Sequence, residues 1–240
     1  MADIVLQTVA EEWDKALATL GVVWGPTAVV VGPGADALAE SLLLADSPPL
    51  VAATSEVAIL GEVPDDVEAT GASPEGVPLP DSSVDVVIAA HAWAGPAGVP
   101  AVAAEANRLV RRGGFIVLAE LDFPRLAGSS AFQYPAALLR IARPDVTAML
   151  QRWSALHSHL EIELIRLGVA TVATDRFDLT RGVYADRREH QAAVAGGLWR
   201  GTAGMPIAER ERLGELVLEL GGDGPVTDRE PWVLVRGVAR

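Results

Sequence analysis

The residues that decide the fold read VPLPDSSVDVVIAAH at positions 77–91 and LVRRGGFIVLAE at positions 109–120. Within the first segment, Val84 to Ala90 is a short apolar run bounded by polar turn residues. Such a run without alternation is typical of a strand that is buried on both faces of a parallel sheet.

A helix and a second strand are predicted to follow. Residues 99–112 carry apolar side chains at helical spacing, and Gly113 with Gly114 is predicted to end the helix, because glycine adopts left-handed conformations easily. Residues 115–119 form the next buried strand. A strand, a helix and a strand joined by short turns indicate one crossover unit of an α/β fold.

The remaining elements are predicted from the same patterns. Residues 57–60 are expected to continue past a strand at 50–53 as a helical turn or a loop. Helices are predicted at 11–20, 35–45, 131–143, 145–167, 186–199 and 207–220, and the other strands at 27–31, 67–70, 169–177 and 232–238.

Composition limits the classes of function. A chain of 240 residues, half of them apolar, can bury a full core, and we predict a single domain over 1–240 with a helical insertion at about 126–168. The net charge of −13 argues against nucleic acid or an anionic membrane as a partner. No signal peptide and no apolar run of ~18 residues is seen, so a cytoplasmic protein is expected. The absence of cysteine excludes disulfides and thiolate nucleophiles.

The motifs within residues 77–122 resemble those of the class I S-adenosylmethionine-dependent methyltransferases, in particular the type 11-like enzymes that act on small molecules. In that family Leu-Pro-Phe-Pro-Asp-x-Ser-Phe-Asp leads into the fourth strand, and Lys-Pro-Gly-Gly turns the chain into the fifth. The resemblance implies a Rossmann-like, doubly wound sheet of seven strands, mostly parallel with an antiparallel C-terminal strand, and helices on both faces.

The resemblance also implies that S-adenosylmethionine binds at the carboxyl ends of the first strands. Gly32 and Gly34 stand where the family has its glycine-rich cofactor loop, Asp36 stands at the third glycine of that loop, and Val30 replaces an acid. A tight turn between a strand and a helix would explain the two glycines equally well.

Two further acids of the family pattern are replaced. Thr54 stands where an acid binds the ribose hydroxyls, and Glu56, two positions later, can substitute for it if the loop is rearranged. Ser73 stands where an aspartate receives the adenine amino group. Loss of both acids would weaken cofactor binding by about 3–6 kcal/mol, or about 10² to 10⁴ in affinity.

Candidates for the reaction itself are few. His91, with Trp93, follows the fourth strand and can take a proton from an acceptor, although a structural role would also explain a single histidine there. Glu120 and Asp122 end the fifth strand, where a solvated strand terminus is the favoured interpretation over a substrate pocket. No metal site is predicted.

Two functions therefore remain open. The first is methyl transfer to a small-molecule acceptor. The second is a catalytically inactive pseudo-methyltransferase that acts as a scaffold or as the partner subunit of another protein, which the three replaced acids favour. A nicotinamide-dependent oxidoreductase is disfavoured, because the sequence after Gly32 does not complete the Gly-x-Gly-x-x-Gly pattern.

Overall fold

The structure is a computed structural model, and it describes part of the chain. The described residues are 2–32, 35, 38–39, 42, 50–53, 56–61, 72–90, 98–128, 133–145, 147–148, 156–199, 202, 204–220 and 224–240. They form two compact units. The first unit comprises Met1–Leu121, Ala155–Phe177 and Trp232–Arg240, and the second comprises Asp122–Ser154 and Asp178–Pro231.

Helices and strands are numbered along the chain. The described helices are α1 (Ala2–Thr19), α2 (Val99–Leu109), α3 (Phe123–Gly128), α4 (Gln133–Ala142), α5 (Leu156–Arg166), α6 (Arg187–Gly196) and α7 (Ile207–Glu219). The strands are β1 (Thr27–Val31), β2 (Leu50–Ala53), β3 (Val57–Gly61), β4 (Val84–Ala90), β5 (Val110–Leu121), β6 (Ala170–Tyr184) and β7 (Val226–Val238). They form one sheet in the order β2-β3-β1-β4-β5-β7-β6.

The centre of the sheet confirms the prediction of buried parallel strands. β4 pairs in parallel with β1 on one side and with β5 on the other. Val29, Val87 and Ile116 lie side by side in these three strands and are almost wholly buried. Apolar side chains that are covered on both faces explain why these segments show no alternation of polar and apolar residues.

The edge of the sheet beyond β1 differs from the prediction. Residues 57–60 belong to strand β3, which runs antiparallel to both β1 and β2. Only three residues, 54–56, separate β2 from β3, and so short a connection cannot form the crossover that parallel strands need. Because β7 is also antiparallel to β5, three of the five pairings with a described register are antiparallel, and the expected mostly parallel sheet is wrong for this part of the chain. The strand expected at 67–70 lies outside the described residues.

Gly113 and Gly114 lie within β5 and do not end helix α2, which stops at Leu109. The pairing of β5 with β4 shifts register here, because Val84 faces Val110 while Val86 faces Phe115. Gly113 has φ +80°, and a Cβ on Gly114 would come within 2.5 Å of the carbonyl oxygen of Asp85. The glycine pair therefore permits a bulge and a close backbone approach.

Helix α1 confirms the amphipathic pattern expected for residues 11–20. Trp13, Leu17 and Leu20 are buried on one side of this segment. The Trp13 ring makes edge contacts with Phe177 of β6 and Trp232 of β7, with ring centroids 5.1 and 5.4 Å apart. No helix among the described residues is long and apolar enough to cross a membrane.

The segment that precedes β4 is held to helix α2 by one arginine. The guanidinium of Arg108 donates hydrogen bonds to both carboxylate oxygens of Glu105, to Asp81 and to the carbonyl oxygens of Val77 and Leu79, at 2.6–2.9 Å. Glu105 also accepts from the Val77 backbone N–H. Burial alone would raise the pKa of Glu105, but the hydrogen bonds from Arg108 and Val77 lower it.

We expect Arg108→Met to lower the free energy of unfolding by about 2 kcal/mol, because it leaves the buried carboxylate of Glu105 without its cation; the partial exposure of Arg108 moderates the loss. Urea denaturation measures this difference. The matched control is Arg112→Met at an exposed position, with an expected change below about 0.5 kcal/mol. Equal losses in the two variants would contradict the structural role of Arg108.

The second unit has a core of its own. Asp186 caps α6 by accepting hydrogen bonds from the backbone N–H groups of Arg188 and Glu189, and Gly197 ends the helix in a left-handed conformation. Helices α6 and α7 pack against each other in this unit. Its buried apolar residues are Leu138, Val194, Trp199, Leu213 and Val217. The single domain with an insertion at about 126–168 stays a prediction.

Candidate functional site

The chain turns sharply where β1 ends. Gly32 follows Val31 with φ +124°, a conformation that only glycine adopts easily, and it is buried. Its carbonyl oxygen accepts a hydrogen bond of 3.0 Å from the N–H of Ala35, which is already helical. A glycine in this conformation brings the backbone close to any group bound at the end of β1, as a cofactor loop requires.

Glu56 lies directly beside this turn. The backbone N–H of Gly32 donates to the carbonyl oxygen of Glu56 at 2.7 Å. The contact arises because β3 is antiparallel to β1, which pairs Val57, the first residue of β3, with Val31, the last residue of β1. The side chain of Glu56 is exposed. The antiparallel pairing of β3 thus places Glu56 at the edge of the sheet where the sequence predicts a ribose ligand.

Ser73 occupies a tight turn ahead of β4. Ser73 and Gly76 form an isolated antiparallel bridge through two backbone hydrogen bonds of 3.3 and 3.0 Å. The side chain of Ser73 is half-buried. Its contact with an adenine amino group stays a prediction.

The surroundings of Val30 explain why an acid of the family's cofactor-loop pattern is replaced at this position. Its side chain is fully buried in β1, and its register partners are Ala58 of β3 and Ile88 of β4. An acid at this position would be surrounded by apolar side chains and would lose its hydration. Val30 therefore belongs to the core of the sheet.

Four of the predicted site residues fall outside the described part of the chain: Gly34, Asp36, Thr54 and His91. Trp93 also lies outside it. Their roles stay predictions. Of the predicted site residues that are described, the structure brings Gly32 and Glu56 into contact and places Ser73 in its own turn.

Glu120 and Asp122 are not at a solvated strand terminus. Both side chains are buried. Glu120 accepts a hydrogen bond from the Leu121 backbone N–H, and Asp122 accepts one from the N–H of Arg125 at the start of α3. Both carboxylates therefore accept hydrogen bonds from nearby backbone N–H groups. Within the described ranges no cluster of His, Asp or Glu could hold a metal ion.

The second unit contains a cluster of polar and aromatic side chains that the sequence did not predict. The imidazole of His190, on α6, lies between the rings of Tyr134 and Tyr184. Its Nδ1 is 2.7 Å from the Tyr134 hydroxyl, and its ring stacks on that of Tyr184 with centroids 4.4 Å apart. The guanidinium carbon of Arg187 lies 3.8 Å from the centre of the Tyr134 ring.

Burial controls the ionisation of this cluster. Burial, reinforced by the positive charge of Arg187, lowers the pKa of His190 to about 4. Burial, reinforced by the negative charge of Asp228, raises the pKa of Tyr184 to about 12. At neutral pH the histidine and both tyrosines are therefore neutral, and Arg187 carries the positive charge. The only local signal for this arrangement is the Asp186–Glu189 cap that begins α6 and fixes where Arg187 and His190 lie on it.

Comparison with known proteins identifies the type of fold. Residues 31–118 match the family Methyltransf_11, a methyltransferase domain. This range begins at the last residue of β1 and ends within β5, so it includes Gly32, Glu56 and Ser73. No curated protein matches the chain significantly.

Several solved structures are similar to this chain. One, assigned as a methyltransferase of an antibiotic biosynthesis pathway in Anabaena variabilis, matches 95% of this chain and 98% of its own, with 16% identity and a TM-score of 0.51. A candidate histamine N-methyltransferase from Thermotoga maritima matches 99% and 92%, with 12% identity and a TM-score of 0.44. The resemblance to the class I S-adenosylmethionine-dependent methyltransferases is confirmed, as is the α/β fold.

Proposed function

From this methyltransferase fold we infer that the chain binds S-adenosylmethionine at the carboxyl end of β1 and transfers its methyl group to a small-molecule acceptor. The observation that carries the proposal is the hydrogen bond between Gly32 and Glu56. It supports the proposal because the backbone of Gly32, which can approach a cofactor closely, contacts a residue whose side-chain carboxylate can accept hydrogen bonds from ribose hydroxyls. These two features fit the cofactor.

Each binding residue has a separate task in this proposal. The turn at Gly32, together with Gly34 two positions later in the sequence, would hold the methionine part of the cofactor through the backbone. Glu56 accepts hydrogen bonds from the ribose, in place of the acid that Thr54 replaces. Ser73 accepts one from the adenine amino group. Glu56 is the only one of these contacts that supplies a negative charge.

In this proposal catalysis depends mainly on how the acceptor is positioned relative to the methyl group. Bound S-adenosylmethionine supplies an electrophilic methyl group on a sulfonium centre. The chain's part is to align an acceptor oxygen, nitrogen or carbon with that group and to exclude water. His91, at the end of β4, would take the proton that the acceptor releases. The net charge of −13 favours a small acceptor over nucleic acid.

Calorimetric titration with S-adenosylmethionine and S-adenosylhomocysteine tests the proposal. We expect a dissociation constant no tighter than about 100 μM, because two of the family's acids are missing. Glu56→Gln should weaken binding about tenfold, since a charged acceptor becomes neutral. Ser73→Asp, which restores an acid of the family pattern, should strengthen it.

The control is Glu211→Gln, an exposed glutamate on α7, which should bind like the native chain. If the native chain binds neither compound at millimolar concentration, the scaffold function replaces the proposed one. If Glu56→Gln binds as well as the native chain, Glu56 is not the ribose ligand.

A further inference from the structure

Among the buried hydrogen-bond donors of the second unit that have no partner in the described part of the chain, two lie in the cluster around His190. They are Nε2 of His190 and Nη1 of Arg187. His190 is 1% exposed, so Nε2 is cut off from bulk water. A buried donor without a partner is unfavourable and is rare in native proteins. A cluster that keeps two of them therefore indicates a group that binds there.

Nε2 of His190 is a donor in one of the two tautomers of the neutral imidazole. Arg187 donates to the Tyr134 hydroxyl and opposes the burial that raises the pKa of this tyrosine. In that tautomer the proton of the Tyr134 hydroxyl is donated to Nδ1 of His190, 2.7 Å away. Nδ1 is then the acceptor nitrogen of a neutral imidazole, and the ring proton lies on Nε2.

The two donors lie on the same side of α6. Arg187 and His190 are three residues apart, a spacing that places side chains next to each other on a helix surface. The N–H groups at the start of this helix are already capped by Asp186, so the helix terminus itself is not the feature that would bind a ligand. Two neighbouring donors, one of them charged, match in number and charge the two oxygens of a carboxylate.

Charge favours a monoanion. Arg187 supplies one positive charge, and the histidine and both tyrosines are neutral. Asp228 is close enough to raise the pKa of both tyrosines, so its negative charge would oppose a dianion such as phosphate. The rings of Tyr134 and Tyr184 provide apolar walls, and both residues and Arg187 are partly exposed.

We propose that this cluster binds the carboxylate of a small organic acid, with Nη1 of Arg187 and Nε2 of His190 as the donors. The site lies within the second unit and is separate from the cofactor site proposed at the end of β1. The inference does not depend on methyl transfer, and either proposal can fail while the other stands.

Titration of the whole chain with benzoate, in the absence of cofactor, tests the inference. We expect benzoate to bind and to shift the imidazole resonances of His190, which are assigned by their loss in His190→Phe. Benzamide has the same ring without the charge and should bind at least about tenfold more weakly. Arg187→Met retains contact with the Tyr134 ring but removes the donor, and it should weaken benzoate binding about tenfold or more.

Arg188→Met is the matched control, because Arg188 is the exposed neighbour of Arg187 on the same helix and has the same charge. It should bind benzoate like the native chain. The proposal is overturned if benzoate does not bind, if benzamide binds equally well, or if Arg187→Met and Arg188→Met behave alike. His190→Phe removes the second donor, and its benzoate affinity is a second measurement. If His190→Phe does not fold, the comparison of Arg187→Met with Arg188→Met decides the question.

Discussion

Replacing Val87 by aspartate is expected to prevent the chain from folding. Val87 lies in the middle of β4, between Val29 of β1 and Ile116 of β5, and all three side chains are almost wholly buried. A carboxylate there would lose its hydration without gaining a partner, at a penalty of about 5 kcal/mol or more. That penalty is comparable with the whole stability of a typical domain. Circular dichroism and thermal melting measure the result.

Two further substitutions make the test specific. Val183→Asp changes the same residue type on β6 at a position that is 52% exposed, and it should melt cooperatively like the native chain. Val117→Asp should be less harmful than Val87→Asp, because Val117 pairs with Arg236, whose Nε has no hydrogen-bond partner among the described residues. A soluble, cooperatively melting Val87→Asp variant would contradict the central position of β4.

The elements predicted best from sequence are those whose residues share one environment. Residues 86–90 and 28–31 are apolar throughout, and burial on both faces is the simplest explanation of such runs. Helix α1 shows its packing through the spacing of Trp13, Leu17 and Leu20. In each case the residues that form the local apolar pattern are also the residues that make the tertiary contacts, so the pattern alone predicts the structure.

Prediction failed where a partner distant in sequence decides the local structure. Residues 57–60 form a strand because they pair with β1, and a run of four apolar residues does not show this. Gly113 and Gly114 suggested the end of a helix, since glycine is common there. Their use in a bulge depends on the backbone of Asp85, which lies 29 residues earlier than Gly114.

In the candidate sites too, local features could be predicted from the sequence, and contacts between residues distant in sequence could not. A glycine after a buried strand predicts a turn, and the φ of +124° at Gly32 confirms the turn, while its role in cofactor binding stays a prediction. Glu56 was named as a substitute ligand, but its place beside Gly32 follows from the antiparallel pairing of β3. His190 and Tyr134 are 56 residues apart, and no spacing rule pairs them.

Acid is expected to destabilise the chain through His190. The pKa of this buried imidazole is about 4 in the folded chain and has its ordinary value of 6.5 when the chain unfolds. Between these two values the unfolded chain binds a proton that the folded chain excludes, so stability falls as the pH falls. The contribution of His190 is complete above pH 6.5, decreases from there to pH 4, and amounts to about 3 kcal/mol in total.

Urea denaturation of the native chain and of His190→Gln, at several pH values from 7.5 to about 4, isolates this contribution. Carboxylates titrate in the same range, but they do so in both proteins, and their effect cancels in the difference. The variant should have the shallower dependence of stability on pH, whatever its stability at pH 7. His159→Gln, at an exposed position on α5, should follow the native curve. Parallel curves for the native chain and His190→Gln would show that the imidazole is protonated as easily in the folded chain as in the unfolded one, and Nε2 would then have found an acceptor within the fold.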